Sequence, residues 1–213
     1  VVAKKPFVTQ TGTYFAFSEP SYCVRATIVD EGEMHKYLGL QSHWSYTTMQ
    51  IGNSTAYVNV ANGNLVYQKT DFMNTAPLLA SVMRRTFNSQ STAGGPFGVG
   101  WDFSFNTNLL TEYGADAEGN QVEVGMLLKD GDGSIHRYVK QEDGSYKAPN
   151  GVFLELTKKE DGTFTAKRSD DITYVFNRQQ MIQEFREPNG NGLLFEYDRK
   201  GRLTKVIHSQ YLE

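Results

Sequence analysis

The chain has 213 residues, 21% of them charged and 13% aromatic, with 20 glycines, 6 prolines, a single cysteine and a formal net charge of −3. That length suits one large β domain or two small ones. Dispersed Lys and Arg with a pI near 5.9 exclude a basic field for nucleic acid, the lone Cys23 excludes an intrachain disulfide, and no apolar run reaches the roughly 20 residues of a membrane-spanning helix.

Residues 1–37 begin with a polar arm, continue through TYFAFS and, after Pro20, SYCVRATIV, and are read as an unassigned N-terminal extension. Asp30 to Leu40 is the one helix candidate: Asp30 can cap it, and Glu31 and Glu33 sit in the first turn, where the helix dipole favours acids. From Trp44 onward strands and turns alternate: HWSYTTMQI, Gly52-Asn53, AYVNV, Asn62-Gly63-Asn64, LVYQKTDF, VMRRTFNS. Asn-Gly between alternating apolar residues predicts a hairpin of type I′, with positive φ at both central positions. Arg84-Arg85 and, in the preceding strand, Asp71 predict a buried or half-buried Arg–Asp pair between neighbouring strands, preferred here to an anion site. The glycine-rich STAGGPFGVG then leads into WDFSFNTNLL, whose Trp101, Phe103 and Phe105 are expected on one face.

Further hairpins are predicted at Asp130 to Gly133, Asp143-Gly144, Asn150-Gly151 and Asp161-Gly162, a spacing that suits one continuous antiparallel sheet. The last strand pair, GLLFEYDRKGRLTKVIH, turns at Asp198-Arg199-Lys200-Gly201, with Leu193, Phe195 and Tyr197 on one face. The unit is legible once more upstream at an offset of 21 residues: Asn177 matches Asp198, Phe176 matches Tyr197 and Ile182 matches Leu203, while Gln180 stands where Gly201 does.

YDRKGRL, with an aromatic two residues before its Tyr197, resembles the YD repeat of Rhs-type proteins. NVANGNLVYQKTDF, MRRTFNSQ and GPFGVGWDFSF are similar, in that order, to the opening of the Rhs core. The resemblance runs from about Leu38 to Glu213. It implies an opening region of the core over 38–170 and YD-repeat hairpins over 171–213, in an all-β, extended antiparallel sheet of hairpins that spirals into a hollow shell. Asn62, Gly63 and Asn64 would form an early turn, Gly98, Gly100 and Trp101 the loop into the aromatic stripe, and Tyr197, Asp198, Gly201, Arg202 and Leu203 the repeat hairpin, with Arg85 a further structural residue. It also implies a larger, secreted or surface-displayed bacterial parent whose C-terminal toxin domain the shell encloses. The absence of an initiator Met and an end just after a repeat are expected of an excised piece, and its last strand is expected to pair edge to edge with a second copy.

Asp130-Gly131-Asp132-Gly133 departs from a calcium loop, because Ile135 stands at the glycine position and Gln141 at that of the bidentate glutamate. His35, His43, His136, His208 and Cys23 lack zinc-ligand spacing. GGPFGVG lacks the Lys-Ser/Thr of a phosphate loop and is followed by a strand. No GxSxG elbow occurs, no catalytic set is nominated, and no cofactor is expected. The expected role is structural and non-enzymatic. The alternative is a carbohydrate-binding module stacking sugars on Trp44 and Trp101, although aromatic ladders also line sheet faces without any ligand.

Overall fold

The computed structural model describes residues 38–74 and 81–209. TYFAFS, SYCVRATIV, Cys23 and His35 lie outside the described residues, as does the helix expected over Asp30 to Leu40 except for its last three positions, which are not helical. The described residues form strands and no α-helix, so the chain is all-β and antiparallel as expected. They fall into two compact units: 38–72, 83–105 and 130–135 in the first, the remainder in the second.

In the first unit β1 (Tyr46–Ile51), β2 (Ser54–Asn59), β3 (Leu65–Asn74) and β4 (Ser81–Asn88) form successive neighbours. The two-residue strands β5 (Gly94–Gly95) and β6 (Gly98–Val99) make a separate small hairpin before β7 (Trp101–Phe103) returns beside β4. The pairings Arg85↔Phe103 and Phe87↔Trp101 put those four side chains on one face. Val66, Thr86 and Asn88 point the other way and are fully buried. Phe105 falls in the turn after β7, so the expected stripe of Trp101, Phe103 and Phe105 ends at Phe103.

Turn chemistry differs from the type I′ expectation. Between β1 and β2 only Gly52 has positive φ, 59°, the pattern of a type II′ turn with glycine first. At Asn62-Gly63-Asn64 only Gly63 does, at 76°. This loop is wider: the Gly63 and Asn59 N–H groups bond the Asn59 and Asn64 carbonyls, so one left-handed residue suffices to reverse the chain.

The second unit holds two sheets. β8 (Asn108–Ala115), β9 (Gln121–Lys129), β10 (Ile135–Lys140) and β11 (Tyr146–Lys147) form one, in the order β11-β10-β9-β8. β12 (Leu154–Lys158), β13 (Phe164–Arg168), β14 (Thr173–Phe176), β15 (Ile182–Arg186), β16 (Gly192–Tyr197) and β17 (Leu203–His208) form the other, in chain order. The continuous sheet expected from turn spacing is therefore broken at Asn150-Gly151, which joins two sheets instead of closing a hairpin. The division expected at residue 170 falls between β13 and β14, neighbours in one sheet.

Alternation explains the six-stranded sheet. Leu156, Phe164, Ala166, Phe176, Ile182, Leu193 and Phe195 are buried, and Phe164↔Phe176↔Ile182 lie opposite one another across three strands. Tyr174 and Phe185 meet edge to face at 5.3 Å. Bonds between the two sheets include the Tyr138 hydroxyl donating to the Leu154 carbonyl at 2.9 Å and the Leu109 N–H donating to the Gln180 carbonyl at 2.8 Å.

One turn recurs along the chain, beginning at Asp116, Asp130, Gln141, Lys159, Arg168, Asn177, Glu187 and Asp198. In each, the first residue's N–H donates to the carbonyl four residues on, and the fourth residue's N–H donates back to the first carbonyl. The fourth residue is left-handed, the geometry of a type I turn closed by a bulge. It is glycine except at Asp171 and Gln180, both with φ of 65°. The turn glycine missing from the upstream repeat thus leaves the turn unchanged. Gln180 accepts the strain because its side chain reaches across to donate to the Thr111 hydroxyl at 2.7 Å.

Among the described residues the Asp171 side chain has only an exposed pair with Lys167 to offset the same strain. Asp171→Gly is therefore expected to stabilise the second unit by about 0.5–1 kcal/mol, the left-handed penalty less glycine's entropy. Gln180→Gly, which also loses the Thr111 bond, should be close to neutral. Gly201→Val, at φ 73°, should be clearly destabilising, and Lys200→Ala should change little. Thermal melts of the four variants check the order; a loss at Asp171→Gly would overturn it.

Candidate functional site

Asn62 and Asn64, motif residues of the first unit, belong to a buried polar knot. Its centre is Asn88, the last residue of β4 and fully buried. Its carboxamide oxygen accepts from the Gly39 N–H at 2.7 Å and the Asn64 amide at 3.0 Å, and its amide donates to the Asp132 carbonyl at 2.9 Å. Asn64, also fully buried, accepts from the Gln90 N–H at 3.2 Å. Asn62 supports the same turn by accepting from the Asn64 N–H at 2.9 Å. Because Asn offers both donor and acceptor, it can join three segments far apart in sequence.

Asp132, second acid of the turn set aside as a calcium loop, is the knot's charged member. Its carboxylate accepts from the Leu40 N–H at 2.8 Å and from the Ser134 N–H and hydroxyl at 2.8 and 2.6 Å. Burial, followed by the nearby Asp130 charge, raises its pKa against those hydrogen bonds. The residue is half-buried overall, but the carboxylate is its enclosed end, close under Gly39. A raised folded pKa means that the folded state holds the proton more tightly, so this contribution is full below the ordinary 3.8 and is lost as pH climbs through the folded value. The stability of Asp132→Asn relative to wild type should therefore rise with pH from about 4 towards neutrality. Paired melts across that range check the slope, and a gap that moves the other way would overturn it.

On the opposite face Arg85 is clasped. Its Nε and Nη2 donate to the Asp71 carboxylate at 2.5 and 2.7 Å, a bidentate pair that holds the Asp71 carboxyl below its usual range. Its guanidinium lies 5.5 Å from the Phe97 ring centre and 5.6 Å from that of Trp101. The pair expected from Arg84-Arg85 and Asp71 is thus present, between β3 and β4, with Arg85 the member used. Trp101 is half-buried, flanked by Phe87 at 5.3 Å and Tyr67 at 6.4 Å. Gly98 and Gly100 have φ of 104° and 80°, and the Gly100 carbonyl accepts from the Asn88 N–H at 2.8 Å. Trp44 lies just before β1, half-buried and tilted against His43 at 5.5 Å.

In the repeat hairpin of the second unit, Asp198 accepts from the Lys200 and Arg202 N–H groups at 2.9 and 3.0 Å and from the Arg202 guanidinium at 2.7 Å. Tyr197 pairs with Leu203 across the bulge beside Gly201, and burial pushes its hydroxyl up to about 12. The Y, D, G, R and L of the motif thus supply a packed ring, the turn's acceptor, its left-handed residue, the acceptor's counterion and the pairing partner.

Glu123 is the group in the second unit nearest to acid–base chemistry. It accepts from the Tyr146 hydroxyl at 2.5 Å and lies 3.4 Å from both the Lys140 and Lys158 amines. Burial works to raise its pKa, but the Tyr146 bond and the two lysines outweigh it and hold the carboxyl low, which suits a fixed counterion better than a proton shuttle. An open groove of about 520 Å³ lies close by, lined by Tyr146, Val152, Glu155, Lys167 and Arg168 and by Phe153, which is 80% exposed. Among the described residues no group of three or more His, Cys, Asp or Glu side chains could hold a metal ion.

Asn88, Asp132, Gln180, Glu123 and Phe153 are among the residues that sequence reasoning did not nominate. Asn88 lies inside the quoted MRRTFNSQ, but strand alternation does not say which face turns inward.

Residues 55–138 match a family model described as a domain of unknown function, DUF6531. That span takes in all three of the motifs NVANGNLVYQKTDF, MRRTFNSQ and GPFGVGWDFSF. The chain is similar to the tRNA3(Ser)-specific nuclease WapA of Bacillus spizizenii, 29% identical over 170 residues, and to the tRNA nuclease WapA of Bacillus subtilis, 28% identical over 170 residues. Each match covers 79% of this chain but 7% of the relative, so the chain spans a small fraction of the length of the curated relatives it matches.

Proposed function

We propose that this chain is a non-enzymatic structural segment of an Rhs/YD-repeat shell that encloses or presents a toxin domain elsewhere in its parent protein. The observation that carries this reading is how the motif side chains are used. Asn64, Asn88, Arg85, Asp198 and Arg202 spend their polar atoms holding turns and strands of this same chain. The activity for which the relatives are named, cleavage of tRNA, belongs on this reading to another part of a much longer chain. Secretion or display at the bacterial surface, the rest of the parent chain as partner, and no nucleic-acid contact or membrane insertion by this segment all follow from it.

The test is made in the parent protein. Asn88→Ala should leave the toxin domain open to protease that the wild-type parent resists, and unchanged protection would overturn the role. Purified chain should leave tRNA intact; cleavage by it would overturn the non-enzymatic part. Among the described residues β17 pairs with β16 alone, so the chain by itself should associate with a second copy along that edge. Sedimentation that stays monomeric at high concentration would count against this contact.

A second reading, glycan recognition, is favoured by Phe153 at the groove more than by the tryptophans. The Arg85 guanidinium already lies over the Trp101 ring. A glycan-array screen with Phe153→Ala, Trp101→Ala and Trp44→Ala decides it: binding lost only in Phe153→Ala places sugars in the groove.

A further inference from the structure

The chain contains four Asn-Gly pairs, at Asn62, Asn150, Asn189 and Asn191. Asn-Gly is the dipeptide whose backbone nitrogen is least hindered from attacking the preceding carboxamide, because glycine has no Cβ. Three of the four are blocked. Asn62 accepts from the Asn64 N–H at 2.9 Å while the Gly63 N–H donates to Asn59 at 2.8 Å. Asn189 accepts from the Asn191 N–H at 2.9 Å and donates to Glu187 at 3.3 Å, and the Gly190 N–H is bonded to the Glu187 carbonyl at 3.0 Å. Asn191 is buried, and the Gly192 N–H donates to the Ser209 hydroxyl at 2.9 Å.

Asn150-Gly151 differs from all three in its hydrogen bonding. Both residues are exposed at the turn between β11 and β12, closed by a 3.2 Å bond from the Val152 N–H to the Pro149 carbonyl. Among the described residues neither the Asn150 carboxamide nor the Gly151 N–H has a hydrogen-bond partner. A Cβ at Gly151 would meet nothing within 4 Å, so the turn is open to solvent on that side.

We propose that Asn150 is a site of spontaneous deamidation in the folded protein, and that the other three Asn-Gly pairs are protected by the fold. The Gly151 nitrogen, its proton taken by hydroxide, bonds to Cγ of Asn150, and the side-chain nitrogen leaves as ammonia to give a succinimide. Water then opens the ring to aspartate or isoaspartate. One water is consumed, one ammonia is released, and no oxidant or cofactor is needed. The product adds one negative charge at a turn whose neighbours Val152 and Phe153 line the groove with Lys167 and Arg168. An aged population therefore carries a charge variant at the groove rim, and the isoaspartyl form lengthens the link between two sheets.

The folded full chain is incubated at mildly alkaline pH and sampled by peptide mapping with mass spectrometry, with isoaspartyl methyltransferase labelling of each time point. The peptide holding Asn150 should gain the mass of one deamidation about tenfold or more faster than those holding Asn62, Asn189 or Asn191, since each of those must first break its hydrogen bonds. In urea all four should react at similar rates, which separates protection by the fold from local sequence. Asn150→Gln should remove the early charge variant. Earlier reaction at any other pair, or an Asn150 inert in the folded chain yet reactive in urea, would overturn the assignment.

Discussion

Asn88→Ala should cost the first unit about 3–5 kcal/mol, much of the stability that a domain of ordinary size possesses. The substitution removes few apolar contacts, so the cost is polar. It leaves the Gly39 N–H, the Asn64 amide and the Asp132 carbonyl each without a present partner, and stranding a buried donor or acceptor costs about 1–3 kcal/mol. Water entering the vacated space offsets part of the sum. Both tryptophans of the chain, Trp44 and Trp101, belong to the first unit, so their fluorescence follows its unfolding separately from the second. The midpoint in heat should drop by an amount on the order of 10 °C. Asn53→Ala, in the exposed β1–β2 turn, is the matched control and should stay within about 0.5 kcal/mol. Equal losses in the two variants would mean that the knot does not hold the unit together.

The contrast between Arg85 and Asn88 shows how far the sequence could be followed. Asp71 and Arg85 lie on consecutive strands, so alternation and adjacency suffice to foresee their pairing, and the structure has it. Asn88 bonds to a carbonyl 44 residues away, and no local period encodes that distance. Asp132 was legible only as a turn residue, because the Leu40 N–H that it accepts comes from a segment 92 residues earlier. Gln180 shows a different limit. Comparing the two repeats reports a lost glycine, whereas the backbone keeps φ at 65° because the side chain is anchored on Thr111. The break between the sheets was equally hidden. Asn150-Gly151 and Asp143-Gly144 are alike as turn formers, but the first ends a sheet and the second closes a hairpin. What tells them apart is contact with the second sheet: Tyr138 donates to Leu154 of β12 and Tyr146 packs on Phe164 of β13.

The same reasoning separates two glycines that the motif treats alike. Gly98 and Gly100 both have positive φ, so an alanine at either carries backbone strain of about 1–3 kcal/mol. Their surroundings differ. A Cβ on Gly98 meets nothing within 4 Å, whereas on Gly100 it would lie 2.8 Å from the Phe87 ring and 2.9 Å from the Asn88 carbonyl oxygen. The ring can tilt, but the carbonyl belongs to the strand that carries the knot, and the Gly100 carbonyl is itself the acceptor for the Asn88 N–H. Relief would have to come from moving β7 off the end of β4, which also displaces Trp101 from Arg85. Gly100→Ala should therefore cost about 1–3 kcal/mol more than Gly98→Ala, the usual scale of overpacking. Its tryptophan emission should shift as Trp101 leaves its place, and that of Gly98→Ala should not. If the two variants melt together, strain alone accounts for both glycines, and the close approach of Gly100 to β4 plays no part in holding the loop on the sheet.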